Sequence, residues 1–334
     1  MGNILEWNNY SLSFFTPQGE VEAVRQVSLS LGEGEILGLV GESGCGKSVL
    51  CKSVLGLLPR YARAKSGRVV LGGRDVTACP ERELRRLRGT AAAMVFQDPM
   101  TSLNPTIPVG EQIAGAILRH ERISRGEARR RALELMRLVE IREAETRFGM
   151  QPHFFSGGMR QRCVLAIALA GRPRVLFADE PTTALDVTVQ AKILDLLLSI
   201  RERTGVAIVL VSHDLGVVAR VADRVAVMYA GRLVEVGTAE EVFYDPRHPY
   251  TRGLLSALPA NARKGEPLPS IPGMPPALIG LPPGDPFAPR NARAMAIDFE
   301  EDPPMFSVTP THSAATWLLD PRAPKAPAGE GAAP

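Results

Sequence analysis

The sequence predicts an α/β protein built on a mainly parallel sheet, with a small antiparallel β region, a helical insertion and a proline-rich C-terminal extension. Three observations predict it. Short apolar segments alternate with stretches of helical periodicity between Ile4 and Leu258, as in a buried sheet covered by helices. A glycine-rich turn, Gly41 to Ser48, stands directly between an apolar segment and a helix-forming one. Composition then shifts, with 17 of the 28 prolines in the 76 residues from Pro259 to Pro334. The expected divisions are a catalytic domain over 1–258 with a helical subdomain over about 107–170, an extension over 259–318, and a disordered tail over 319–334.

In chain order, residues 10–34 and 66–72 alternate and are punctuated by glycine, which suits antiparallel strands. Glu35–Val40, Ala92–Phe96, Val175–Ala178, Val206–Val211 and Val225–Met228 are short, apolar and bounded by turn or polar residues, as central strands are. Ser48 to Leu58 stops at Pro59 and reads as a helix; Val189, Ile193, Leu196, Leu197 and Ile200 recur at helical spacing. Residues 107–170 carry few strand signals. Within them, SRGEARRRALELMRLVE sets Ala132, Leu135, Met136 and Val139 opposite its arginines, which predicts a solvated basic face.

The chain is 45% hydrophobic and 22% charged with a formal net charge of +3. That is the balance of an ordinary globular protein, and no nucleic-acid partner is expected from it. The longest apolar runs fall short of the ~18–20 residues that span a bilayer. The N-terminus has no basic segment leading into an apolar one, and Gly2 is followed by Glu6 where myristoylation wants Ser or Thr. A peripheral, cytoplasmic chain is expected. Cys45, Cys51, Cys79 and Cys163 lack the paired spacings of a zinc site and read as packing thiols.

Two motifs carry chemistry on their own. ILGLVGESGCGKSVL contains G-x-x-x-x-G-K-S between a strand and a helix. Its glycines let successive N–H groups face phosphate oxygens, and the helix N-terminus adds its dipole. Gly41, Glu42, Ser43, Gly44, Cys45, Gly46, Lys47, Ser48 and Val49 are the expected nucleotide-binding residues, with Lys47 on the β- and γ-phosphates and Ser48 on Mg²⁺. VLFADEP ends a strand in two carboxylates: Asp179 to hold Mg²⁺ through its water shell, Glu180 to act as general base.

The sequence FFSGGMRQRCVLAIALA resembles the signature motif of ABC ATPases, with Ser156, Gly157 and Gly158 at its centre and Met159 next. The resemblance implies that this element meets the nucleotide of the opposite protomer. VFQDPMTSLNP resembles the Q-loop, which implies that Gln97 reaches Mg²⁺ and the attacking water; VSHDL places His213 as the switch histidine. PTTALDVTVQ resembles the D-loop, with Ala184, Leu185 and Asp186 at the dimer interface. LSFFTPQGE offers Phe14 or Phe15 to stack on adenine, Phe14 being preferred.

DPRHPYTRGLLSALP is similar to the segment after the cassette in ATPase subunits of dipeptide, oligopeptide, nickel and opine importers. That likeness implies ATP and Mg²⁺ as cofactors and a place on the cytoplasmic face of the inner membrane. It also implies three kinds of partner: a second ATP-binding subunit, two transmembrane permease subunits and an extracytoplasmic substrate-binding protein. A heterodimer is usual there; a homodimer stays open. Many members hold an iron–sulfur cluster in P-x-G-C-x-F-x-P-R-C. Here PPGDPFAPRN has Asp285 and Asn291 at the first two cysteine positions, and Asp298 and Thr316 fall at the others, so no cluster is expected. The alternative reading is a soluble ABC ATPase with a non-transport role.

Overall fold

The computed structural model describes residues 2–97, 102–183, 186–258 and 269–324. The strands are β1 (Asn3–Thr16), β2 (Gly19–Gly32), β3 (Ile36–Val40), β4 (Ala62–Leu71), β5 (Arg74–Asp75) and β6 (Ala92–Val95). They continue as β7 (Val175–Asp179), β8 (Ala207–Ser212), β9 (Arg224–Tyr229), β10 (Arg232–Thr238), β11 (Phe306–Ser307) and β12 (Ser313–Ala314). One sheet has the order β2-β1-β4-β5 and the other β11-β12-β10-β9-β3-β8-β7-β6. In the second, β9, β3, β8, β7 and β6 are parallel, whereas β10, β12 and β11 join antiparallel.

Every residue of β3, β7 and β8 is buried, which is why these strands read as continuous apolar runs. The antiparallel region begins earlier than residue 10, because β1 starts at Asn3 and pairs along its length with β2 and β4. Its pairing is broken by bulges at Asn9 and Gln26, both at positive φ. Their freed N–H groups bond the Ser28 and Ser11 hydroxyls at 3.0 and 2.9 Å.

The helix after the glycine loop runs Lys47–Val54, not to Leu58. Gly56 at φ 60 turns the chain out before Pro59 is reached. In the helical region, Val109–His120, Arg125–Leu138 and Gly157–Leu169 bury Ile113, Ile117, Ala132 and Met136 against one another. The basic face of Arg125–Leu138 is not wholly solvated, contrary to the sequence reading. Arg131 is buried and ion-paired with Glu121, and Arg129 lies 4.0 Å over the Phe148 ring. Long alkyl stems let arginine enter a helix interface once its head finds a partner.

The described part of the extension lies against the cassette. β12 pairs with β10, and Glu22 N–H donates to Leu278 O at 2.9 Å. Glu235 on β10 is fully buried and accepts from Arg247 N–H and His248 N–H at 2.6 and 3.0 Å, with His312 Nε2 at 2.7 Å from its Oε1. A buried carboxylate needs such partners, and here they come from two distant segments. Residues 325–334 of the predicted tail and 259–268 of the predicted extension lie outside the described residues.

Candidate functional site

The loop between β3 and the Lys47–Val54 helix can be drawn only with glycine at its tight points. Gly41 (φ 149) and Gly46 (φ 106) sit in left-handed territory, and a Cβ on them would run into the Met228 and Ala23 carbonyls. The loop thereby wraps a cavity of about 640 Å³ lined by Glu42, Ser43, Gly44, Gly46, Lys47, Ser48 and Val49. First-turn N–H groups of a helix lack intrahelical acceptors, so this end attracts anions. Lys47 is 5% exposed, and its ammonium donates to Gly41 O and Glu42 O at 2.7 and 2.8 Å. Gly41 and Cys45 shape the loop without lining the cavity; burial pushes the Cys45 thiol up and keeps it a packing group.

At the base, Ser48 Oγ donates to Asp179 Oδ1 at 2.7 Å. Burial raises the Asp179 carboxyl against the pull of that hydrogen bond and of Lys52. A hydroxyl and a carboxylate are hard oxygen donors that suit Mg²⁺ when substrate phosphates and water complete the shell.

Three predicted catalytic residues meet above this base. Glu180 follows β7 at φ 48, a conformation uncommon for a non-glycine residue, and this turns its side chain into the cavity lining. Gln97 Nε2 and Thr183 Oγ1 both donate to Glu180 Oε2 at 2.9 Å, and His213 Nδ1 stands 3.3 Å from Oε1. Gln97 follows β6, Glu180 β7 and His213 β8, so adjacent parallel strands deliver all three at their carboxyl edge.

The signature residues stand apart. Ser156 caps the Gly157–Leu169 helix by accepting Met159 N–H, and Ser156 and Gly157 are exposed. A Cβ on Gly158 would meet Val189 Cγ1 at 2.5 Å, so only glycine allows this helix its close approach to Val187–Thr204. None of Ser156, Gly157, Gly158 and Met159 lines the cavity. Asp186 caps Val187–Thr204 through Val189 N–H at 2.9 Å and is exposed. Ala184 and Leu185 lie outside the described residues. Phe14 does not line the cavity either: it is half-buried 5.8 Å from the Tyr61 ring, while Phe15 is 46% exposed.

Sequence reasoning missed Thr183, Tyr250 and Arg290. Thr183 had a local signal, a hydroxyl three residues after the general-base candidate. The other two touch Glu42 from more than 200 residues away, Tyr250 OH accepting its N–H at 2.8 Å and Arg290 pairing with its carboxylate at 2.6 Å.

The four positions that the resemblance assigns to cluster ligands are buried, and each is already committed to a backbone N–H. Asp285 takes Phe287, Asn291 takes Arg293, Asp298 takes Met295 and Thr316 takes Leu318, at 2.9, 3.0, 2.6 and 3.3 Å. These residues brace their own turns, and oxygen donors do not fit an iron–sulfur cluster.

Burial raises the Asp285 carboxyl from 3.8 to about 6, with nearby Asp298 adding to the rise and Phe287 N–H opposing it. Its contribution to stability is therefore complete below its unfolded value of 3.8 and lost as pH climbs through about 6. Asp285→Asn is expected to stabilise the chain by about 1–3 kcal/mol at pH 8 and by roughly half as much at pH 5. Denaturant unfolding at the two pH values checks this; a pH-independent difference would contradict it.

Comparison with known proteins follows the same lines. Residues 24–183 match the family model described as ABC transporter, and residues 234–297 match that described as oligopeptide/dipeptide transporter, C-terminal region. A dipeptide transport ATP-binding protein of Lactococcus lactis subsp. cremoris is 53% identical over 323 residues, 96% of this chain and 93% of its own. An oligopeptide transport ATP-binding protein of Bacillus subtilis is 52% identical over 324 residues, 96% of this chain and 90% of its own. Among solved structures, a dimeric ATP-binding cassette in a post-hydrolysis state with ADP and phosphate matches with TM-score 0.63 at 28% identity, covering 70% of this chain and 98% of that one.

Proposed function

Because the chain belongs to the ABC transporter family of ATP-hydrolysing subunits, we propose that it energises import of peptides, or of a related small solute such as an opine or a nickel chelate, through a membrane permease. The observation that carries the reading is the convergence of Gln97, Glu180 and His213 beside the phosphate loop. The C-terminal match over 234–297 favours peptide-type cargo.

In this reading the ATP phosphates take over the Lys47 ammonium from the Gly41 and Glu42 carbonyls, while loop N–H groups bind the remaining oxygens. Mg²⁺ held by Ser48, by Asp179 through its water shell and by Gln97 would neutralise charge on the β- and γ-phosphates. Glu180 accepts a proton from the attacking water, and Thr183 and Gln97 hold its carboxylate in place. His213 stands ready to contact the γ-phosphate. Ser156–Met159 serve the nucleotide of a second cassette, since Ser156 and Gly157 are exposed and all four lie away from this chain's own cavity. ATP favours the closed pair and its products do not, so binding and hydrolysis drive the permease.

The proposed assembly has a second, non-identical ATP-binding subunit paired across Asp186, two permease subunits at the inner face of the cell membrane, and an extracytoplasmic binding protein. No helix among the described residues is long and apolar enough to cross a membrane, so attachment runs through the permease. Phe14 or its exposed neighbour Phe15 stacks on adenine; no iron–sulfur cluster is carried. The test is hydrolysis by the assembled complex in the presence of peptide-loaded binding protein. Severalfold stimulation supports the reading, whereas hydrolysis indifferent to permease and peptide favours the soluble, non-transport ATPase.

A further inference from the structure

The phosphate loop carries an acidic side chain, Glu42, on the wall of a cavity meant for a polyanion. Left alone, a carboxylate there repels phosphate, and the low polarity of a partly enclosed site strengthens the repulsion. This carboxylate is not alone. Arg290 Nη1 donates to Glu42 Oε2 at 2.6 Å and Arg290 Nη2 to Oε1 at 3.0 Å, the paired fork geometry of a strong arginine–carboxylate bond.

The extension holds the arginine rigidly in turn. Its side chain is 5% exposed. Nε donates to Pro272 O at 2.8 Å, and Nη1 also donates to the Tyr229 hydroxyl at 3.2 Å. Around it Tyr229, Tyr250 and Phe287 form a ring cluster with centroids 4.7, 5.3 and 5.4 Å apart. The same cluster reaches the loop backbone, because Tyr250 OH accepts Glu42 N–H while Lys47 bonds Glu42 O. Carboxylate, N–H and carbonyl of Glu42 are therefore all fixed, two of them by residues C-terminal to the sheet's last parallel strand.

We infer that Arg290 is a positioning residue for ATP: it cancels the Glu42 charge and sets the first turn of the phosphate loop, making nucleotide affinity depend on the seating of the C-terminal extension. The inference rests on the ATP-binding reading of the cavity and adds a control element to it. A purely architectural arginine would affect folding alone. A charge-cancelling one has a different signature, in which removing the arginine harms ATP binding and removing the glutamate as well repairs it.

The experiment is calorimetric titration of Mg–ATP into the full chain. Arg290→Ala is expected to weaken binding about tenfold, and Arg290→Ala combined with Glu42→Gln to return to within about threefold of wild type. Circular dichroism and thermal unfolding identify folded variants. Should Arg290→Ala fail to fold, Arg290→Gln keeps an amide for Pro272 and Tyr229 and carries the same expectation. Wild-type affinity in the folded arginine variants, or a double variant as weak as the single one, would overturn the inference. Absence of Mg–ATP binding by the wild-type chain would overturn the nucleotide reading itself, a separate and recognisable result.

Discussion

Glu180→Gln is expected to keep ATP affinity within about threefold of wild type while lowering turnover of the assembled complex by about 100-fold or more. Glutamine has nearly the shape of glutamate, and its amide oxygen can still accept from Thr183 Oγ1 or Gln97 Nε2, which now bond Oε2 at 2.9 Å. What it lacks is basicity. The carboxylate that would take the water's proton is then gone, while His213, whose Nδ1 stands 3.3 Å from the other oxygen, is assigned to the γ-phosphate. Steady-state hydrolysis and an ATP titration on the same preparation check both halves. Near-normal turnover would remove Glu180 from the role of base.

Lys47→Ala is expected to weaken ATP binding by about 100-fold or more, and hydrolysis with it. The ammonium is almost wholly buried and is the one loop side chain bonded to two loop carbonyls, Gly41 O and Glu42 O. Its removal strips a charge from the anion site and leaves both carbonyls short of a donor. Lys47→Arg is expected to fail too, because a planar guanidinium cannot occupy a tight slot shaped for a compact ammonium. Nucleotide titration of the two folded variants checks this. Affinity within about threefold of wild type in Lys47→Ala would contradict the account.

Much of the framework was legible because its physics is local. β3, β7 and β8 are buried on both faces, so each had to be apolar throughout, and each ends where a polar residue enters the cavity. That is why motif and strand together point to Lys47, Glu180 and His213. The signature helix is announced by Ser156 to Gly158, and its family likeness already implies a place away from this chain's own nucleotide.

What stayed hidden is long-range or lies below the length at which periodicity speaks. β11 and β12 have two residues each. Arg290 sits in a three-residue turn, and nothing in APRN says that its side chain grips Glu42. Arg131 looked like its exposed neighbours because burial of a charge depends on a partner, here Glu121, contributed by another element. Tyr250 was visible only as part of a family segment, though its hydroxyl orders the phosphate loop. The Lys47–Val54 helix stopped short because Gly56 acts before Pro59 can.

The central claim is that hydrolysis at Glu180 is coupled to movement of a peptide-type solute through a permease. It is tested most directly in sealed proteoliposomes containing the permease, this chain and its partner ATPase, by measuring labelled-peptide uptake and ATP hydrolysis together. The account predicts uptake that needs ATP and the binding protein, rises with hydrolysis, and disappears with Glu180→Gln. Hydrolysis at full rate with no uptake, or uptake unchanged by Glu180→Gln, would contradict it.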